Sequence, residues 1–172
     1  VTYGLDSCDF NGPLPLGWAA TGSVAPFTQP CQNNLDGTPY YWSSDAWLSQ
    51  REVISPNLNY ACGGELSFDL RLGVQAEPFD CEGPDSEMEG VEVQYSVDSG
   101  LTWVTFSYFN PTGIVETTNP GTSAIFVTTP TVFTSWANYT IQTPVAAATP
   151  NTMFRWVQLN PTNVDFDNWG ID

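Results

Sequence analysis

Apolar and polar residues alternate with period two through much of the chain. Residues 65–72 place Leu66, Phe68, Leu70 and Leu72 on one face, with Ser67, Asp69 and Arg71 on the other. That is the pattern of a half-buried strand. Residues 91–96 repeat it. Val97-Asp98-Ser99-Gly100 then supplies turn chemistry, and the alternation resumes over residues 101–106, which predicts a hairpin. Further strands are predicted over residues 123–129, 136–142 and 152–159. Weaker apolar segments stand at residues 40–42 and 47–54.

No window carries a long helical period, and Pro recurs often enough to interrupt one over much of the chain. Short strands separated by turn-rich segments predict an all-β sandwich or barrel. Neither an internal duplication nor an inter-domain linker is visible, so residues 1–172 read as a single domain, a size that supports one core. No apolar run reaches the roughly 18–20 residues of a membrane span.

Charge narrows the chemistry. Nineteen acids face three Arg, with no Lys and no His, giving a net charge of −16. Such a chain repels nucleic acid and anionic lipid, and it suits cation binding or a saline exterior. Schiff-base lysine chemistry is excluded, as is histidine acid–base catalysis. A glycoside hydrolase needs only two carboxyls, but no pair is singled out. The expectation is a non-catalytic domain. Arg71 and Arg155 lie in alternating strands and are expected to pair with acids on outer sheet faces. The acidic stretch over residues 77–89 reads as a solvated loop.

Cys8, Cys31, Cys62 and Cys81 contain no CxxC spacing, so a zinc or redox site is not indicated. Four cysteines predict two disulfides and an oxidising compartment. Of the three pairings, the sequential one, Cys8–Cys31 with Cys62–Cys81, is expected, because each bridge would staple a Gly/Pro-rich loop. Asn138-Tyr139-Thr140 matches the N-glycosylation acceptor pattern. Tyr41, Trp42 and Trp47 are candidates for stacking on sugar rings, with core packing as the alternative.

Four segments in order resemble the reelin-type repeat family of extracellular jelly rolls. They are DFNGPLPLGW from Asp9, GGELSFDLRLG from Gly63, GVEVQYSVDSGLTW from Gly90, and FRWVQ from Phe154 with the ending Trp169-Gly170-Ile171-Asp172. The resemblance implies an antiparallel two-sheet jelly roll in a secreted, extracellular or cell-surface protein, assembled beside other modules. It also implies a structural calcium ion where the first and last strands meet. Matching positions here are Asp9, Asn11 and Asp172, with Asp45 and Asp69 as contributors. Asn11 stands where the family often has an acid. The expected function is a structural or adhesion module of a matrix, sheath or filament, working through contact with identical or neighbouring domains. A carbohydrate-binding module is the alternative. Because the sequence stops at Asp172, the last strand is expected to be short and open to pairing with another chain, more strongly with divalent cations.

Overall fold

The computed structural model describes residues 14–21, 25–27, 31, 35–43, 50–75, 77, 81–122, 125–162 and 166–172. Eleven strands are seen among them, and they form two antiparallel sheets packed face to face. The strands are β1 (Ala19–Thr21), β2 (Ala25–Phe27), β3 (Tyr40–Trp42), β4 (Arg51–Ile54), β5 (Glu65–Leu72), β6 (Val91–Ser96), β7 (Val104–Asn110), β8 (Ile114–Glu116), β9 (Ala137–Gln142), β10 (Met153–Gln158) and β11 (Trp169–Ile171). The six-stranded sheet runs β1-β4-β10-β6-β7-β8, and the five-stranded sheet runs β2-β3-β11-β5-β9. This is the expected jelly-roll-like sandwich.

Period-two alternation decides which side chains meet. In the six-stranded sheet Val53 and Val93 both pair with Trp156, and Phe154 pairs with Tyr95, so these side chains share the inner face. Phe68, Leu70 and Leu72 meet them from β5. Rings interlock across the two layers: Phe68 lies 5.3 Å from Trp156 and 5.7 Å from Phe109, edge to face.

Strand β3 is buried on both faces. Tyr41 enters the main core against Trp169 at 5.5 Å. Tyr40 and Trp42 point the other way and form a second, smaller core with Trp136 on the outer face of the five-stranded sheet. A Tyr-Tyr-Trp run without alternation is the sequence trace of that double burial.

Three sequence expectations shift. The last strand is not open to another chain: β11 lies inside the five-stranded sheet, paired with β3 on one side and β5 on the other. Residues 101–103 belong to the hairpin turn, and β7 begins at Val104. Within the predicted strand at 123–129, Phe126 makes an isolated bridge to Ser86, and residues 123 and 124 lie outside the described set.

Candidate functional site

Asp69 and Asp172, both expected as calcium ligands, are adjacent. Asp69 N donates to Asp172 O at 2.7 Å, and Asp172 N donates to Asp69 O at 3.0 Å. On the other flank Asp69 pairs in register with Asn138, whose Nδ2 donates to Asp69 Oδ1 at 2.8 Å. Directly opposed residues in an antiparallel sheet point to the same face. Asp172, Asp69 and Asn138 therefore form a row of oxygens across the outer face of β11, β5 and β9. Asn138, the predicted glycosylation acceptor, is exposed. Asp9, Asn11 and Asp45 lie outside the described residues. Among the described residues no three acids or thiols converge closely enough to hold a metal ion.

The sugar-stacking expectation needs correction. Tyr41 and Trp42 are about 1% and 0% exposed and offer no ring face to a ligand. The Arg71 guanidinium lies 5.6 Å from the centre of the Trp42 ring, and Gly170 packs against the same ring. Trp47 lies outside the described residues.

The cysteine pairing also needs correction. Cys31 bonds to Cys81, and Cys62 is a free, exposed thiol in the turn before β5. Cys8 lies outside the described residues. The sequential pairing fails because the jelly-roll crossing brings distant loops together. Cys31 packs against the outer core of Tyr40, Trp42 and Trp136, and the bridge to Cys81 ties the 81–89 segment to that flank.

That segment is not the solvated loop its charges predict. Glu87 and Glu89 are buried. Glu89 Oε2 accepts from Ser86 N at 2.9 Å and Asp85 N at 3.1 Å. Burial, and then the nearby charges of Asp167 and Asp85, push its carboxyl up to about 8. Asp167 is also raised by burial, opposed chiefly by its bonds from Thr162 N and Oγ1.

At this end of the sandwich two inward strand positions are polar. Arg51 has the parity of Val53, and Gln158 the parity of Trp156. Arg51 Nη1 donates to Phe166 O at 2.7 Å, Asp167 O at 3.1 Å and Gln158 Oε1 at 3.3 Å. Gln158 Nε2 donates to Glu89 O at 2.6 Å and Asp167 O at 2.8 Å. The pair plugs the core and fixes the approach to β11. A polar residue at an inward strand position was the available signal for this plug.

The other two Arg pair with acids, as expected, but neither is a surface residue. Arg71 is fully buried; its Nη2 lies 3.0 Å from Glu77 Oε2, and its Nε donates to Thr134 O at 3.0 Å. Arg155 Nη1 lies 2.7 Å from Glu52 Oε2, its Nε donates to Gln94 Oε1 at 2.7 Å, and the guanidinium covers Trp103 at 4.3 Å. Gln94 Nε2 continues the network to Glu92 Oε2 at 2.7 Å and Thr105 Oγ1 at 3.0 Å.

Three solved structures are similar to this chain. The K1 cleaved adhesin domain of Lys-gingipain from Porphyromonas gingivalis W83 matches with a TM-score of 0.53 at 12% identity, over 95% of this chain and 91% of that one. The K3 cleaved adhesin domain of the same protein gives 0.48 at 14% identity, over 92% and 90%. CBM35 from Paenibacillus barcinonensis gives 0.40 at 12% identity, over 91% and 93%. At such identity the K1 likeness speaks for the fold alone. Sequence is more specific: residues 25–172 match the Reelin subrepeat B description, most of the chain and nearly all of the sandwich described above. The chain belongs to the Reelin subrepeat B family.

Proposed function

We propose that this domain is a non-catalytic structural and adhesion module of an extracellular or cell-surface protein, acting through protein–protein contact and stabilised by calcium. The observation that carries the reading is the internal use of its chemically conspicuous groups. Trp42, Arg71, Arg155, Glu52 and Glu89 all bond within the sandwich, which leaves the outer surface to act by shape and charge. The Cys31–Cys81 bridge supports an oxidising compartment. Burial of Tyr41 and Trp42 leaves the carbohydrate-binding alternative with Trp47 as its remaining named platform.

For calcium, the described donors are the carboxylates of Asp69 and Asp172 with the Asn138 amide oxygen. Asp9, Asn11 and Asp45 would complete the six to eight oxygens the ion takes. These are hard oxygen donors, the chemistry calcium selects. Melting the domain in excess calcium and in EDTA tests this part. An ion present at about 100 times its Kd adds about 2.7 kcal/mol, and Asp69→Asn should lose most of the gain. Equal melting temperatures in the two buffers would withdraw calcium. The contact role is tested by chemical cross-linking of the whole protein on intact producing cells. Cross-links from this domain to surface or matrix proteins are expected. A glycan-array signal abolished by Trp47→Ala, without protein cross-links, would transfer the role to sugar binding.

A further inference from the structure

The charge of this chain is unevenly distributed. From Ser99 to Phe154 the sequence holds one charged residue, Glu116, although the whole chain carries nineteen acids. That span folds as β7, β8, β9 and their connections. Strand β8 is an edge of the six-stranded sheet, and β9 is an edge of the five-stranded one. The two edges lie on the same side of the sandwich, because Phe109 of β7 packs against Tyr139 of β9 at 5.0 Å and both rings meet Phe133. Among the described residues, the strands that edge this side carry one charge of their own, Glu116, with Glu65 and Asp69 of β5 the next acids in from β9.

That side is also apolar at its rim. All three residues of β8 are exposed, with Ile114 at 59% and Val115 at 48%. Val132, 67% exposed, stands beside the turn into β8: a Cβ placed on Gly113 would lie 3.6 Å from its Cγ2. Phe126, 72% exposed, bridges Ser86. The next residue, Glu87, accepts Tyr108 Oη at 2.6 Å on its carbonyl, and Tyr108 pairs with Glu116 of β8. The charged member of the strand is tied down, since Asn110 Nδ2 donates to Glu116 Oε2 at 2.8 Å.

An exposed apolar edge strand is a template for pairing, and charged side chains are the usual protection against it. Here the strand's single charge, Glu116, is held by Asn110. A partner with the same −16 charge is repelled at acidic surfaces, and this side minimises that repulsion. The edge is also self-complementary. In an antiparallel pairing of two copies centred on Val115, Val115 faces its own mate and Ile114 faces Glu116, so no two carboxylates stand opposed. We infer that the side edged by β8 is a homotypic docking surface, on which a second copy of this chain pairs β8 against β8 across a two-fold axis. The inference rests on the protein-contact reading above and names both its surface and its partner.

Sedimentation velocity on the whole disulfide-bonded domain, from micromolar to near-millimolar concentration, is the test. The expected result is a concentration-dependent dimer, strengthened by monovalent salt. Val115→Asp and Phe126→Asp should each weaken it at least about tenfold, which is about 1.4 kcal/mol. Leu16→Asp, an exposed apolar residue before β1, should leave it unchanged. Circular dichroism and melting check that each variant folds. Should Val115→Asp fail to fold, Phe126→Asp carries the test, since its ring is largely outside the fold. A wild-type monomer at every concentration, or a dimer indifferent to both variants, overturns the inference. Cell-surface cross-links that persist beside a monomeric wild type would remove the homotypic surface and keep the contact role. Loss of both would remove both.

Discussion

Thr102 closes on Asp98 twice, its amide N donating to Oδ1 at 2.9 Å and its Oγ1 to Oδ2 at 2.6 Å. Ser96 Oγ adds a third bond to Oδ1 at 2.7 Å and itself accepts from Gly100 N at 2.8 Å. The turn between β6 and β7 is thus wired from inside, with Ser99 and Gly100 both in the left-handed region at φ 60° and 84°. The Thr102 bonds hold the Asp98 carboxyl down to about 2. Because its folded pKa is depressed, Asp98 contributes stability above the usual carboxylate range, and that contribution is lost as pH falls through about 2. Asp98→Asn should therefore melt lower than wild type at pH 7, with the gap closing toward pH 2. A gap independent of pH would contradict the assignment.

Glu89 predicts the opposite pH dependence. Its carboxyl is raised to about 8 by burial and then by the charges of Asp167 and Asp85. The folded protein holds this proton more tightly than the unfolded chain, so stability falls as pH rises from about 4.5 through about 8. Each effective pKa unit is about 1.4 kcal/mol, which moves the melting temperature of a domain this size by roughly 3–6 °C. Glu89→Gln should flatten the fall and melt higher than wild type above pH 8. Melts in calcium-free buffer from pH 5 to 9 check it. A variant that keeps the wild-type slope would place the titration elsewhere.

These two carboxyls also show what the sequence made legible. Asp98 sits in a turn flanked by alternating strands, so its role follows from local chemistry, and the 65–72 and 91–96 strands were recoverable for the same reason. Glu89 looked like one more solvated acid, because burial there depends on Gln158 and on the approach to β11, contacts from far along the chain. The three-residue strands β1, β2 and β8 are too short for a period of two to register. The Trp42 platform failed for the same reason as the cysteine pairing: the outer core is closed by loops distant in sequence, and no local pattern announces them. Tyr41 failed because it packs on Trp169 of the distant β11 in the main core.

The Cys31–Cys81 bridge closes a separation of 50 residues. The chain-entropy relation gives about 4 kcal/mol for a loop of that size. Cys31→Ser with Cys81→Ser should lose a comparable amount in chemical denaturation. Because the bridge flanks the outer core, Trp fluorescence should change along with stability. A non-reduced peptide map should contain the Cys31–Cys81 link, and native protein should be alkylated at Cys62. A Cys62–Cys81 peptide would refute the assignment.

Gly170 gives the sharpest test of the outer core. A Cβ there would lie 2.6 Å from Trp42 Cε3 and 2.9 Å from Trp136 Cη2, closer than real Cβ contacts occur. Neither ring can retreat easily. Trp42 is fully buried beneath Arg71, whose side chain is fixed by Thr134 O and Glu77, and Trp136 is held edge-on by Tyr40 at 4.7 Å. Overpacking of this kind typically costs about 1–3 kcal/mol, so Gly170→Ala should lower the melting temperature and alter the near-ultraviolet circular dichroism of the Trp residues. If the clash with Trp42 is the cause, shrinking that ring should relieve it. Trp42→Leu alone destabilises by opening a cavity, and the Gly170→Ala, Trp42→Leu pair should then cost less than the sum of the two single changes. Strict additivity would place the cost of the added methyl on Trp136, 2.9 Å away, and not on Trp42.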